Sequence, residues 1–394
     1  MSQSLPTSRL SSADVYRGFV MFLMMAEVLS FDKVSQALPE SSFWKILAFH
    51  QSHVEWIGCS LHDLIQPSFS FLVGVVLPYS VANRLQQEER FIKVFSHVLW
   101  RSLKLILLGI FLRSQWRNQT NFTFEDTLTQ IGLGYSFLFL LNFRSQKIQI
   151  TALIIILLGY WLVFAVYPLP DASFDYSSVG VDKDWPYLLK GFTAHWNKNS
   201  NFAAHFDQWF LNLFPRENPF VFNGGGYVTL SFIPTLGTMI LGLLAGNMLK
   251  STMTANQKLR NFIILGIAGL ALGLLINSLG ICPNVKRIWT PTWVIFSGGW
   301  CFLLMAFFYW TIDVLGKRNY AYFLLVIGTN SIAAYIIAHT VDSYIAKSLF
   351  IHLGKDYALI FGIPYKTLVQ GTLILLFEWL ILRWMYQKKI FIKV

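Results

Sequence analysis

The sequence predicts an all-α protein: a polytopic bundle of about ten transmembrane helices with a small extracytoplasmic cap. Three observations predict it. The 394-residue chain is 55% hydrophobic and only 13% charged, with a mean hydropathy of +0.50, too apolar to fold around one aqueous core. Its apolar stretches reach about 20 residues, the length a helix needs to cross a bilayer. Its positive charge gathers in the short connections between alternate stretches, as the positive-inside rule expects of cytoplasmic loops.

The stretches fall near 13–31, 60–83, 91–113, 124–142, 148–167, 226–249, 259–280, 288–315, 320–345 and 366–387. The first carries Asp14, Arg17 and Glu27 and lacks a small-residue cleavage site, so it is expected to stay rather than be removed as a signal peptide. With a cytoplasmic N-terminus, the inner connections hold Arg84, Arg90 and Lys93, then Arg144 and Lys147, then Lys250, Lys258 and Arg260, then Lys317 and Arg318. Arg383, Lys388, Lys389 and Lys393 stand at the inner tail. The longer connections, 32–59 and 168–225, then face outward. The second is rich in Trp, Asn, Asp and Gly and reads as an ordered extracytoplasmic cap between the fifth and sixth helices. Residues 1–394 form one transmembrane domain on this reading, in a membrane of the bacterial inner type. No internal repeat is visible, which disfavours a transporter.

The net charge of +11 is accounted for by topology, and no basic patch interleaved with aromatics points to nucleic acid. Cys59, Cys282 and Cys301 have no CxxC spacing, so neither a zinc knuckle nor a disulfide framework is expected.

Ionisable groups inside a bilayer cost roughly 2.5 to 3.5 kcal/mol each on insertion, so each is by default paired or functional. Asp14 and Arg17, three apart after Ser11 and Ser12, suit a capped helix start with an internal ion pair. On the third stretch Lys93, His97, Arg101 and Lys104 share one helical face. Arg101 and Lys104 lie roughly 15 to 20 Å from the inner end of that helix, too deep for easy snorkelling. A phosphate-bearing donor such as coenzyme A, entering from the cytoplasm, would partner them, and carboxylates on neighbouring helices are the competing account.

The run HVEWIGCSLHDLIQPSFSFLVG gathers His53, Glu55, His62 and Asp63 at a membrane mouth. An imidazole beside a carboxylate can move protons near neutral pH or accept an acyl group, and Asp63 could fix the tautomer of its partner. Metal binding by His50, His53 and His62 matches no firm spacing signature, and no metal is expected. Further along, His339 and Asp342 sit three apart near an outer helix end, with Asn330, Ser331 and Gln130 deeper. Helix-to-helix hydrogen bonding would explain any one of these polar groups alone. Gly224 to Gly226 reads as a turn.

The chain resembles the heparan-α-glucosaminide N-acetyltransferases and their prokaryotic-type membrane relatives. The likeness is carried by RLSSADVYRG from Arg9 to Gly18, by His53-Val-Glu-Trp-Ile-Gly58, by Asp63-Leu-Ile-Gln-Pro67 and by FLVG from Phe71. It continues in LTQIGLGY around Gln130, IPTLGTMILGLLAG from Ile233, KRIWTPTWV from Lys286, GTNS from Gly328, the pair ending at His339, and the tail YQKKIFIKV. The resemblance implies an enzyme that moves an acetyl group from cytoplasmic acetyl-CoA to an extracytoplasmic (amino)sugar or glycan. It implies that His53 is the essential histidine, as general base or acetyl carrier, with Asp63 beside it. By the same resemblance Asp63, Asn330 and His339 would line the chamber, with Lys286 at its outer mouth; Gln130 is expected on the acceptor side, and the helical stripe of His97, Arg101 and Lys104 remains the expected donor path. The family's Gln-Arg pair reads here as Gln130-Ile131, which removes one charge from the site. The partners implied are acetyl-CoA, a sugar or amine and the lipid bilayer; a homodimer is compatible. A polytopic transporter of a small polar or anionic solute is the alternative, and it would turn over no acetyl-CoA.

Overall fold

Helix is the only extended regular structure in the computed structural model, which describes residues 10–86 and 90–392; the sole bridge outside it pairs Ile57 with Val285. Arg9 of the first motif and Lys393 of the inner tail lie outside the described residues. In chain order the helices are α1 (Ser11–Met25), α2 (Phe31–Ala37), α3 (Ser42–Gln51), α4 (Ile65–Gln86), α5 (Phe91–Arg113), α6 (Thr127–Asn142) and α7 (Gln146–Val166). There follow α8 (Phe202–Phe210), α9 (Phe232–Lys250), α10 (Ala255–Ser278), α11 (Pro291–Phe308), α12 (Tyr322–Thr329), α13 (Ser331–Thr340), α14 (Asp342–Leu353) and α15 (Lys366–Gln387).

Among the described residues, seven helices are long and apolar enough to cross a membrane, or eight if the bent pair α12 and α13 is one span. Two of the ten expected segments fall short of that length. Segment 13–31 is the 15-residue α1 followed by a 3-10 turn, and segment 124–142 is the 16-residue α6. The protein is an integral membrane protein on this count, with ten spans not reached. No disulfide joins Cys59, Cys282 and Cys301.

The chain divides into two compact units. The larger comprises residues 55–58 and 66–303. In it α5 packs on α6, and α9 packs on both α6 and α7. Helix α4 meets α9 backbone to backbone, because a Cβ at Gly242 would collide with the Phe71 carbonyl and one at Gly74 with the Met239 carbonyl. The connection between α7 and α9 is ordered by its own buried groups. Trp196 is wholly buried and stacks at 6.3 Å on Phe164, while its carbonyl accepts Trp56 Nε1–H at 3.2 Å. Asn199 donates to the Val179 and Asn223 carbonyls at 2.9 and 3.0 Å, and Asn201 caps α8 through the Ala204 amide. Buried asparagines thus satisfy backbone that no helix or sheet serves.

The second unit comprises, of the described residues, 10–54, 59–65 and 304–392. Its centre is α1 against α12, at a crossing where a Cβ on Gly18 would strike the Leu324 carbonyl and one on Gly328 the Asp14 carbonyl. The stretch 320–345, expected as one span, is broken. Helices α12 and α13 meet at 69° at Asn330, whose backbone leaves the helical region. The break persists because the C-terminal tail fills it. Asn330 Nδ2 donates to the Ile390 carbonyl at 2.8 Å and Asn330 Oδ1 accepts the Ile392 amide at 3.0 Å. Two motifs far apart in sequence, GTNS and the tail, are therefore partners.

Candidate active site

The loop that follows α3 is closed by Ser60, whose hydroxyl donates to the Ser52 carbonyl at 2.5 Å and accepts the Asp63 amide at 3.2 Å. This closure carries His53 onto Asp63, with His53 Nδ1 at 2.9 Å from Asp63 Oδ1. The Asp63 carboxylate is completely buried, and its Oδ2 receives the amides of Val54 at 3.3 Å and Ser60 at 3.0 Å. A carboxyl group accepting two backbone N–H groups is held in the anionic, acceptor-only form. His53 Nδ1 therefore carries the proton it shares with Asp63, and Nε2 is the basic nitrogen.

The neighbouring residue His62 is also buried, its ring centroid 4.5 Å from that of His53. His62 Nε2 lies 2.9 Å from Glu27 Oε1, at the end of α1. Glu27 is within electrostatic range of His62, His53 and His339. His339, on α13, donates Nδ1–H to the Tyr335 carbonyl at 2.8 Å and stacks on the Tyr335 ring at 4.3 Å, which makes Nε2 its acceptor nitrogen. Asp342 in turn interacts with His339, Glu27 and the Glu378 carboxyl group of α15. Glu378 is wholly buried, and neither of its oxygens has a donor partner among the described residues.

The second unit thus brings His53, Asp63 and His339 into one field of interacting groups and adds Glu27, His62, Asp342 and Glu378. Asn330 lies in the same unit with its side chain engaged by the tail. Glu378 escaped the sequence reading although an acid inside the apolar run LILLFEWLIL is a signal in itself. Glu27 was visible on the first stretch, but nothing in the spacing paired it with His62. His50 Nδ1 accepts the Leu61 amide at 3.2 Å. Among the described residues no three His, Cys, Asp or Glu side chains converge as a metal site.

The remaining expected site residues belong to the larger unit. Gln130 is wholly buried and donates to the Phe124 and Thr229 carbonyls at 2.7 and 3.1 Å, while its buried Oε1 has no partner among the described residues. Lys286 is buried, at the start of the turn that precedes α11, and the adjacent Arg287 donates to the Gly225 carbonyl at 2.7 Å. The Gly224 to Gly226 segment is a turn built on Asn223, whose Oδ1 accepts the Gly225 amide at 2.8 Å. Along α5, Arg101 donates to the Tyr135 hydroxyl at 3.0 Å with its guanidinium 4.8 Å from the ring centre, whereas His97 and Lys104 are exposed. The stripe is one helical face, and only Arg101 of the three candidates turns onto α6.

Two curated proteins align with nearly the whole chain. The human heparan-alpha-glucosaminide N-acetyltransferase is 21% identical over 98% of this chain and 60% of its own length. The mouse protein of the same name is 22% identical over 86% of this chain and 54% of its own. The chain is a distant relative of these enzymes. It spans little more than half the length of the relatives it matches, and no protein-family model matches it.

Proposed function

We propose that this chain is a membrane-embedded acetyltransferase that moves an acetyl group from cytoplasmic acetyl-CoA to an extracytoplasmic sugar or amine, with His53 as general base. The observation that carries the reading is the His53–Asp63 dyad, an imidazole held in one tautomer by a buried carboxylate. The names of the two relatives supply the reaction class. His53 Nε2 takes a proton from the protonated acceptor amine. The freed nitrogen then attacks the thioester carbonyl, the carbon–sulfur bond breaks, and the departing thiolate takes the second amine proton. Transfer leaves one proton on His53. Asp63 stabilises the resulting imidazolium, as a buried carboxylate does in a triad. Arg101 is the donor-side group in this scheme, suited to phosphate oxygens, and Gln130, Lys286, Asn330 and His339 are acceptor-side groups.

The test is release of free CoA from purified protein in nanodiscs given acetyl-CoA and a panel of glucosamine-terminated acceptors. Turnover by the wild type that is lost in His53→Ala is expected. Turnover unchanged by that substitution removes His53 from the chemistry, and an absence of acetyl-CoA binding sinks the transferase reading.

A further inference from the structure

Helix α3 leads directly into His53 and carries an apolar arc that stands open. Phe43, Ile46 and Phe49 are 62%, 57% and 50% exposed, and no residue of the helix is buried. At about 3.6 residues per turn these three share one side, with Lys45 at its edge, while the half-buried Trp44, Leu47, Ala48 and Gln51 share the other. The second side is taken up by the protein. The Trp44 ring lies 5.9 Å from the rings of both Phe31 and Tyr365. Gln51 donates to the Ala26 carbonyl and accepts the Phe31 amide, each at 2.7 Å.

These contacts fix where α3 stands. Tyr365 lies at the start of the apolar span Ile363–Gln387. The turn Ala26–Leu29 is held farther along the same span at Gly371, where a Cβ would strike the Val28 carbonyl. Helix α3 therefore runs beside about the first two turns of that span, where lipid begins. At about 15 Å it is too short to cross a bilayer itself. Ile360, Phe361 and Ile363, around the start of the span, are exposed as well. In an integral membrane protein an open apolar arc at this level faces acyl chains, and Lys45 at its edge can extend to headgroup phosphates. Past the end of α3 the exposed series continues in Ser52 and His53. The surface that meets lipid thus runs on into the imidazole.

We propose that the acceptor served by His53 is membrane-anchored: an amino sugar on a lipid chain, which lays the chain on Phe43, Ile46 and Phe49 and presents the amine to His53. The proposal rests on the transferase reading and names the acceptor class for it. The α3 side chains touch the anchor and not the reacting atoms, so they act on acceptor binding. Contact between the chain and the arc removes apolar surface from disordered surroundings and aligns the headgroup with the end of the helix. A water-soluble amino sugar would make no use of this arc.

Two measurements on the full chain in nanodiscs test this. The first follows CoA release with methyl glucosaminide and with hexadecyl glucosaminide, which differ only in the anchor. It compares the wild type with a triple variant carrying Phe43→Ser, Ile46→Ser and Phe49→Ser. The ratio of kcat/KM for the long-chain over the short-chain acceptor should fall at least about tenfold in the variant. Partitioning of the long chain into the nanodisc is common to both proteins, so the comparison isolates the contact with α3. An equal ratio in the two proteins overturns the proposal. The second measurement needs no turnover. A protein with p-benzoylphenylalanine placed at position 49 is photolysed in nanodiscs that hold hexadecyl glucosaminide as a minor component, and the adducts are identified by mass spectrometry. Glucosaminide adducts should exceed its share of the lipid several-fold. Adducts in proportion to that share mean that α3 meets bulk lipid only, and they overturn the proposal. Should neither acceptor be acetylated while the enrichment stands, the transferase reading fails and the amino-sugar lipid site on α3 survives.

Discussion

Asp63 holds His53 through Nδ1 at 2.9 Å with one carboxylate oxygen while its other oxygen receives two backbone amides. The same side chain therefore sets the tautomer of the base and closes the loop that carries it. Asp63→Asn separates these roles. The amides of Val54 and Ser60 would claim the Asn oxygen, which turns its NH2 toward His53 and forces Nδ1 to become the acceptor. The proton then sits on Nε2 and the base is lost. A fall in kcat of roughly 100- to 10,000-fold is expected, with acetyl-CoA KM and thermal stability near wild type. Asp63→Ala should instead also destabilise the protein, since each stranded buried amide costs about 1 to 3 kcal/mol. Equal activity in Asp63→Asn and the wild type would show that the tautomer is irrelevant.

Arg101 is the member of the α5 stripe that turns onto α6, through the Tyr135 hydroxyl at 3.0 Å. Its Nε is buried without a partner among the described residues. If phosphate oxygens complete its coordination, Arg101→Ala should raise the acetyl-CoA KM about tenfold or more, the range of a lost charge-assisted hydrogen bond, and leave the acceptor KM unchanged. Tyr135→Phe, which keeps the ring under the guanidinium, should have a smaller effect. An Arg101→Ala protein that binds acetyl-CoA as the wild type does would take the stripe out of the donor path.

What could be read from the sequence divides along a physical line. Apolar runs and the helical spacing of Lys93, His97, Arg101 and Lys104 are local, so the long helices and their shared face were visible. Which part of that face packs is decided by α6, and so Arg101 turns inward while His97 and Lys104 do not. The His53 and Asp63 pairing spans a short loop and could be anticipated from ten residues' separation. Glu27 with His62 and Asp342 with Glu378 depend on how α1 and α15 are rotated in the bundle, which no local pattern encodes. The break at Asn330 was hidden for the same reason. The run 320–345 is long and apolar enough on either side of GTNS to read as one span, and the groups that stabilise the break arrive from Ile390 and Ile392.

That arrival gives a third prediction. The Asn330 side chain makes two hydrogen bonds to the tail backbone while itself 1% exposed. Asn330→Ala should cost roughly 1 to 3 kcal/mol, the net worth of two hydrogen bonds at about 0.5 to 1.5 kcal/mol each, because Ile390 and Ile392 are themselves exposed. Removing residues from 390 onward should cost a similar amount. Combining the two changes should cost little more than either alone, because both remove the same interaction. Additive losses in thermal unfolding would mean that the tail and the break are stabilised separately.

Asp207 of α8 provides a pH test of the segment between α7 and α9. It is 2% exposed, its Oδ2 accepts the Thr229 amide at 2.8 Å, and its Oδ1 has no partner among the described residues. Burial pushes its carboxyl from 3.8 up to about 7. Burial pushes the carboxyl of Asp126, the cap of α6, upward as well. The sign follows from proton counting: between these limits the folded protein holds a proton on Asp207 that the unfolded chain has lost. Stability therefore falls as pH rises through roughly 4 to 7 and levels off above that window. The full swing is at most roughly 4 kcal/mol, at about 1.4 kcal/mol per pH unit. Asp207→Asn keeps an acceptor for Thr229 and removes the charge, so its unfolding temperature should exceed that of the wild type at about pH 8 and match it at about pH 5. Asp126 leaves a shallower slope of the same sign in the variant. A variant with the wild-type slope would place the titrating group elsewhere.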